Sequence, residues 1–188
     1  ATDQLAKLAA EANIAFVDAP VLGTKKPAEE AKLVVLASGD SALGTRCQPV
    51  FDAIGRCPRW LGDAGAGTRL KLVMNSWVLA ITSATAEAIA LSEGLGVDPQ
   101  LFLSSLTGTQ LDSPYAHAKG GAMLAGEFTP SFPVASAAKD SGLILEAAQS
   151  SGIAPDVIAA VRDKFARALA QGHGDEDMAA VYAVTVAR

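Results

Sequence analysis

Apolar residues recur three and four apart at Leu5, Leu8, Ala9 and Ala12, so the stretch from Thr2 to Asn13 predicts an amphipathic helix with Thr2 as its N-cap. It has neither the basic start nor the apolar centre of a signal peptide. Two short apolar runs follow, Ile14 to Val17 and Leu33 to Ala37. Each ends in turn residues, Asp18-Ala19-Pro20 and Ser38-Gly39-Asp40, and both suit buried strands. Asp40 then predicts the cap of a helix from Ser41 to about Ile54 that Gly55 stops, and Arg59-Trp60-Leu61 predicts a third short strand. Strands alternating with helices imply a parallel α/β layer.

From Gly65 onward the pattern changes. Lys71 to Gly94 is apolar almost all round at helical spacing, four or five shorter helical stretches follow it, and no strand signal survives there. Asp98-Pro99 marks one helix start, Pro133 another, and Ser151 or Ala154-Pro155 a third near Asp156. A helix as long and apolar as Lys71 to Gly94 needs cover on most sides, more than the shorter helices supply, which predicts a homodimer. The two-glycine hinge at Asp63 to Gly67 divides the chain into residues 1–63 and 64–188. Because it opens on a helix at Ala1 rather than on Met, the chain reads as a fragment of something longer.

Composition narrows the partners. With 188 residues, half of them hydrophobic and 19% charged, the chain is too apolar for disorder. No uninterrupted apolar run reaches the ~20 residues of a membrane span. Fifteen basic against twenty acidic residues give a net charge of -5, so no broad footprint for nucleic acid or an anionic membrane is visible and a small-molecule partner is expected. Cys47 and Cys57 form no C-x-x-C and have no His pair at ligand spacing, which predicts reduced thiols in a cytoplasmic protein and no metal site.

Three segments hold candidate chemistry. The loop from Asp18 to Ala28 follows a predicted strand, where open α/β sheets place ligands: Gly23 allows close backbone approach, Thr24 adds a hydroxyl, and Lys25 and Lys26 add positive charge. An ordinary solvated turn explains the same residues. Lys71 and Asn75 lie four apart on one face of an otherwise apolar helix, so the lysine must snorkel, pair or work. It either passes a proton to a substrate that Asn75 orients, or reaches past the helix start into water. In Phe128-Thr-Pro-Ser-Phe132-Pro and the helix after it, Lys139 and Asp140 are adjacent and so are expected to have separate partners, while Phe132 alone reads as core. His117 and His173 show no carboxylate or serine partner at a recognisable spacing, and His173 reads as a loop residue.

Neither Gly65-x-Gly67 nor Gly94-x-Gly96 completes a dinucleotide fingerprint, and no Walker loop, H-E-x-x-H or G-x-S-x-G is present. Taken together, DAPVLGTKKPAEEAKLVVLASGD (Asp18 to Asp40), GAGTRLKLVMN (Gly65 to Asn75) and FPVASAAKD (Phe132 to Asp140) resemble, in order and spacing, the β-hydroxyacid dehydrogenase family. The TKKPAE stretch looks most like the glyoxylate and succinic semialdehyde reductase branch. The resemblance implies an α/β remnant, the last strands of a Rossmann-type domain, followed by an all-helical bundle with a long interdomain helix that forms a homodimer or tetramer. The unit whose glycines hold the cofactor pyrophosphate would be absent.

The same resemblance implies the chemistry: NADP or NAD as cofactor and a small carboxylate as substrate, with no nucleic acid and no membrane partner. Lys71 takes the place of the family's general acid and Asn75 that of the asparagine beside it. Gly23 and Thr24 match the loop that receives the substrate carboxylate, Phe132 and Asp140 match residues lining or supporting the site, and Lys139 matches a lysine near the cofactor. Leu22 departs from the pattern, since the family usually has Ser there. Losing that hydroxyl costs about 1 to 3 kcal/mol if the carboxylate is left unsatisfied, so a more apolar substrate or a lower affinity is expected. A non-catalytic helical dimerisation module is the alternative.

Overall fold

Helix α1 (Thr2–Glu11) opens the chain with its apolar side uncovered: Leu5 and Leu8 are 55% and 60% exposed. The computed structural model describes residues 1–57 and 59–185. Thr2 is the first helical residue rather than the cap, a place Ala1 takes without a side-chain hydrogen bond. The Thr2 hydroxyl lies instead 3.2 Å from that of Thr68.

Five short strands follow: β1 (Val17–Asp18), β2 (Val21–Leu22), β3 (Leu33–Val35), β4 (Ser38–Gly39) and β5 (Gly55–Arg56). Helix α2 (Lys25–Glu29) links β2 to β3. A 3-10 turn (Ser41–Leu43) and α3 (Gly44–Ile54) link β4 to β5. Asp40 accepts the amide of Ala42 at 2.9 Å, and Gly55 ends α3, as the sequence predicts.

The layer is not parallel. β1 pairs with β4 and β2 with β3, both antiparallel, and the partners Val17 with Gly39, Asp18 with Ser38, Val21 with Val35 and Leu22 with Val34 keep one register. The two segments are one antiparallel pair interrupted at Ala19-Pro20, because proline has no N–H to give. Leu36 N donates to the Pro20 carbonyl across the gap at 2.8 Å. The connection from Gly23 to Lys32 is shorter than the roughly twelve residues that a parallel crossover needs. The longer path through α3 allows one, and β3 and β5 are parallel, Leu33 with Gly55 and Val34 with Arg56. Of the run from Ile14 to Val17 only Val17 enters a ladder, and Ile14 is 64% exposed.

The strand expected at Arg59-Trp60-Leu61 does not form either. Leu61 N reaches the Ala37 carbonyl at 2.8 Å and Gly39 N the Gly62 carbonyl at 2.7 Å, one residue out of register for a parallel ladder, with Gly62 at φ 96°. Trp60 anchors the segment through its indole N–H, 2.6 Å from the Gly39 carbonyl, and its ring lies 6.5 Å from that of Phe51. Val35, Ala37 and Phe51 make the core here, with Cys47, Ile54 and Cys57 packed against it. Both cysteines are free.

Helix α4 (Ala66–Gly94) starts earlier than its apolar run. By packing, Ala1–Met74 form one compact unit and the residues from Asn75 onward another. The first turn of α4 is hydrogen-bonded to the strands: Gly67 N donates to Ser38 Oγ at 3.0 Å and Thr68 N to Asp18 Oδ2 at 2.8 Å.

The second unit contains α5 (Pro99–Leu106), α6 (Pro114–Ala125), α7 (Val134–Ser150), α8 (Asp156–Ala170) and a 3-10 segment (Met178–Val184). Asp98 caps α5 on Gln100 N at 2.9 Å with Pro99 at the first position, and Pro133 precedes α7. Its core gathers Leu79, Ile89, Val134, Phe165, Met178 and Val181, all fully buried. The charge-free part of α4 runs only from Leu72 to Ala86, yet the whole helix is long and apolar enough to cross a membrane by length and composition. One side of it stays uncovered: Val73, Trp77 and Leu91, which share a face by their spacing, are 61–65% exposed, and Leu95 just past its end is 70% exposed.

Candidate functional site

Lys71 lies in the second turn of α4. It is half-buried, and Nζ donates to the Val21 carbonyl at 2.8 Å. That bond holds the amine at the end of the antiparallel pair, beside the turn that begins at Gly23. Gly23 has φ 128°, a backbone conformation that strains any larger residue, and a Cβ there would also press on the end of the Leu33 side chain at 2.6 Å. Leu22 is half-buried opposite Val34 in the ladder. Thr24 precedes α2 in extended conformation without capping it. Lys25 and Lys26 pair with Glu29 at 3.9 Å and Glu30 at 4.0 Å on the exposed side of α2, so carboxylates already offset the charge expected to draw an anion.

In the second unit, Asn75 is 9% exposed and its Nδ2 donates to Asp140 Oδ2 at 2.9 Å. Lys139 reaches the other oxygen, Nζ to Oδ1, at 3.1 Å. Adjacent residues were expected to find separate partners. The long lysine side chain, 68% exposed, instead folds back along the helix surface to its neighbour. The Asp140 carboxylate is thus engaged on both oxygens.

Phe132 is half-buried, and its position is set by a group the sequence reading did not single out. Asp177, 4% exposed, accepts Ser131 N at 3.0 Å, Ser131 Oγ at 2.8 Å and Phe132 N at 3.2 Å on Oδ2. Its Oδ1 accepts Lys119 Nζ at 2.7 Å and Ala179 N at 3.0 Å. Lys119, 7% exposed, also donates to Ser131 Oγ at 3.2 Å and stands 5.5 Å from the Tyr115 ring centre. Burial alone would raise the Asp177 pKa, but Lys119 and the amides of Ala179 and Ser131 outweigh it and hold the carboxyl below its usual range. Burial first, and the Asp177 charge second, push the Tyr115 phenol up to about 12. The available signals were a lysine in an Ala- and Gly-rich helix and an aspartate just before an apolar run, the pattern of an N-cap.

The two histidines do have carboxylate partners: His117 Nε2 is 2.8 Å from Asp112 Oδ1 and His173 Nδ1 is 2.8 Å from Glu176 Oε2. Both pairs close local turns and neither adjoins a nucleophile. Among the described residues no group of three or more His, Cys, Asp or Glu is placed to hold a metal ion.

Residues 65–185 match the family model described as NAD-binding of NADP-dependent 3-hydroxyisobutyrate dehydrogenase. Residues 1–62 match the one described as NAD binding domain of 6-phosphogluconate dehydrogenase. The chain is similar to glyoxylate/succinic semialdehyde reductase 1 of Arabidopsis thaliana, 34% identical over 166 residues that cover 88% of this chain and 57% of the plant protein. It is 32% identical over 167 residues to the cytokine-like nuclear factor N-PAC of Aedes aegypti, covering 89% of this chain and 30% of that one. Among solved structures, the 3-hydroxyisobutyrate dehydrogenase of Mycobacterium tuberculosis with L-serine has a TM-score of 0.89 and 28% identity, over 99% of this chain and 66% of that one. The chain spans less than two thirds of the length of each.

Proposed function

Because the chain belongs to the NAD(P)-dependent β-hydroxyacid dehydrogenase family, we propose that it is the substrate and dimerisation portion of a reductase of small aldehyde acids or keto acids, of the glyoxylate or succinic semialdehyde type. Lys71 is the general acid: it holds a proton against the substrate oxygen as charge develops there, and takes one back in the reverse direction. The observation that carries this reading is the Lys71 amine, half-buried and fixed at 2.8 Å on the Val21 carbonyl, next to the turn at Gly23 and Thr24 that would receive a carboxylate. In the second unit, Asn75, its amide held by Asp140, and Phe132 are the positions that the resemblance gives to the substrate.

The start of α4 is not open to a pyrophosphate, because the amides of Gly67 and Thr68 are taken by the Ser38 hydroxyl and the Asp18 carboxylate, whose charge repels a phosphate. We assign NADP or NAD to the complete protein, with Lys139 the position here that the resemblance directs toward it.

The exposed face of α4 at Trp77 and Leu91, continued by Leu95 just past its end, supports a homodimer through the helical unit. It also favours a second reading, a non-catalytic dimerisation module. The test is to assay a complete protein carrying this chain with NADPH and NADH against glyoxylate and succinic semialdehyde. Turnover of either substrate supports the reductase, and a dimer that turns over neither supports the module.

A further inference from the structure

The carboxylate of Asp18 has no part in the chemistry above, yet it is 7% exposed and fully engaged. Oδ1 accepts the Thr68 hydroxyl at 2.6 Å, and Oδ2 accepts Thr68 N at 2.8 Å and Ser38 Oγ at 3.1 Å. Ser38 Oγ in turn accepts Gly67 N. Two amides that α4 cannot satisfy within itself are therefore met by side chains from β1 and β4 rather than by a cap of its own. Gly67 makes the approach possible, since a Cβ there would stand 2.0 Å from the Leu36 carbonyl oxygen and 3.2 Å from Asp18 Oδ2. A negative group at this end of the helix also faces the positive end of its dipole.

Thr68 and Lys71 are three residues apart on one face of α4, and Asp18 and Val21 are three apart along the interrupted strand pair. Helix and strand pair are joined at two successive points, Asp18 to Thr68 and Val21 to Lys71. The groups of the first junction are bonded to one another. What that junction fixes is the rotation and height of the helix turn that carries the second.

We propose that Asp18, acting through Thr68, is the positioning residue that sets where the Lys71 amine stands. Its consequence for turnover rests on the reading of Lys71 as the general acid; its consequence for the amine does not.

The test separates the two. Thr68→Val keeps the shape and loses the hydroxyl, Thr68→Ser keeps the hydroxyl, and Asp18→Asn keeps the size and loses the charge. On the 188-residue chain, the rate of reductive methylation of Lys71 is read by peptide mass spectrometry against Lys25 and Lys32 as exposed references. Loss of a charge-assisted hydrogen bond releases the amine, so Thr68→Val and Asp18→Asn raise the Lys71 rate about tenfold, with Thr68→Ser unchanged. In the complete enzyme the same two variants lower kcat about a hundredfold, with KM within about twofold, because the misplaced group serves the chemical step. Methylation of Lys71 at the parent rate in folded Thr68→Val overturns the proposal. So does an equal rise at every lysine, which reports general loosening. If the methylation pattern holds while Lys71→Ala still turns over substrate, the positioning stands and the catalytic reading falls.

Discussion

Asn75 and Asp140, sixty-five residues apart, are joined by a hydrogen bond of 2.9 Å in which the amide donates and the carboxylate accepts. With Nδ2 committed, the amide cannot flip, and its acceptor oxygen has a fixed direction. Asp140→Ala leaves a buried donor unsatisfied and costs about 1–3 kcal/mol of stability. It also frees the amide, so KM rises more than kcat falls. A double-mutant cycle of Asp140→Ala with Asn75→Ala should give a coupling of about 0.5–3 kcal/mol, and additive effects would show the bond to be incidental.

Leu22→Ser places a hydroxyl at the end of β2, beside the turn at Gly23. If that turn receives a carboxylate, KM for a carboxylate substrate falls about tenfold with kcat little changed. An unchanged KM means that Leu22 does not mark altered specificity.

The buried pair of Lys119 and Asp177 makes the helical unit acid-sensitive. The folded pKa of Asp177 lies below its ordinary value of 3.8, so the pair's contribution is fully present above that value and is lost as pH falls through the folded one. Denaturant unfolding between pH 7 and pH 2 follows this, and Asp177→Asn flattens the acid side of the curve. Lys119→Met at neutral pH leaves the carboxylate buried and uncompensated and costs about 3–5 kcal/mol.

Trp77→Glu combined with Leu91→Glu charges the uncovered face of α4, where the two side chains are 65% and 61% exposed and contribute little to the core. Sedimentation equilibrium should find the parent chain dimeric and the double variant a folded monomer. A parent that is monomeric at all accessible concentrations removes the homodimer.

The residues whose role depends on a local pattern were legible in the sequence. Lys71 and Asn75 stood out as polar groups one turn apart in an apolar helix, and the structure gives each a fixed partner. Gly23 stood out for close backbone approach and proves to have a positive φ, and the helix starts at Asp98 and Pro133 were legible because caps are short-range. Contacts between distant segments were not legible. Asp18 looked like a turn residue and is the cap of a helix fifty residues on; Asp177, not singled out in the sequence, holds the backbone of Phe132. Strand direction failed for a different reason. Alternation of strand and helix suggested parallel pairing, but the connection from Gly23 to Lys32 is too short to cross over.

The central claim is that Lys71 delivers the proton to the reduced carbonyl. It is tested by comparing parent and Lys71→Ala in the complete enzyme, with NADPH binding followed by cofactor fluorescence and single turnovers started with glyoxylate or succinic semialdehyde. General acid catalysis by a positioned side chain predicts a loss of about 10²–10⁴ in the rate of the chemical step with cofactor affinity unchanged. An undiminished rate in the Lys71→Ala enzyme would contradict the account.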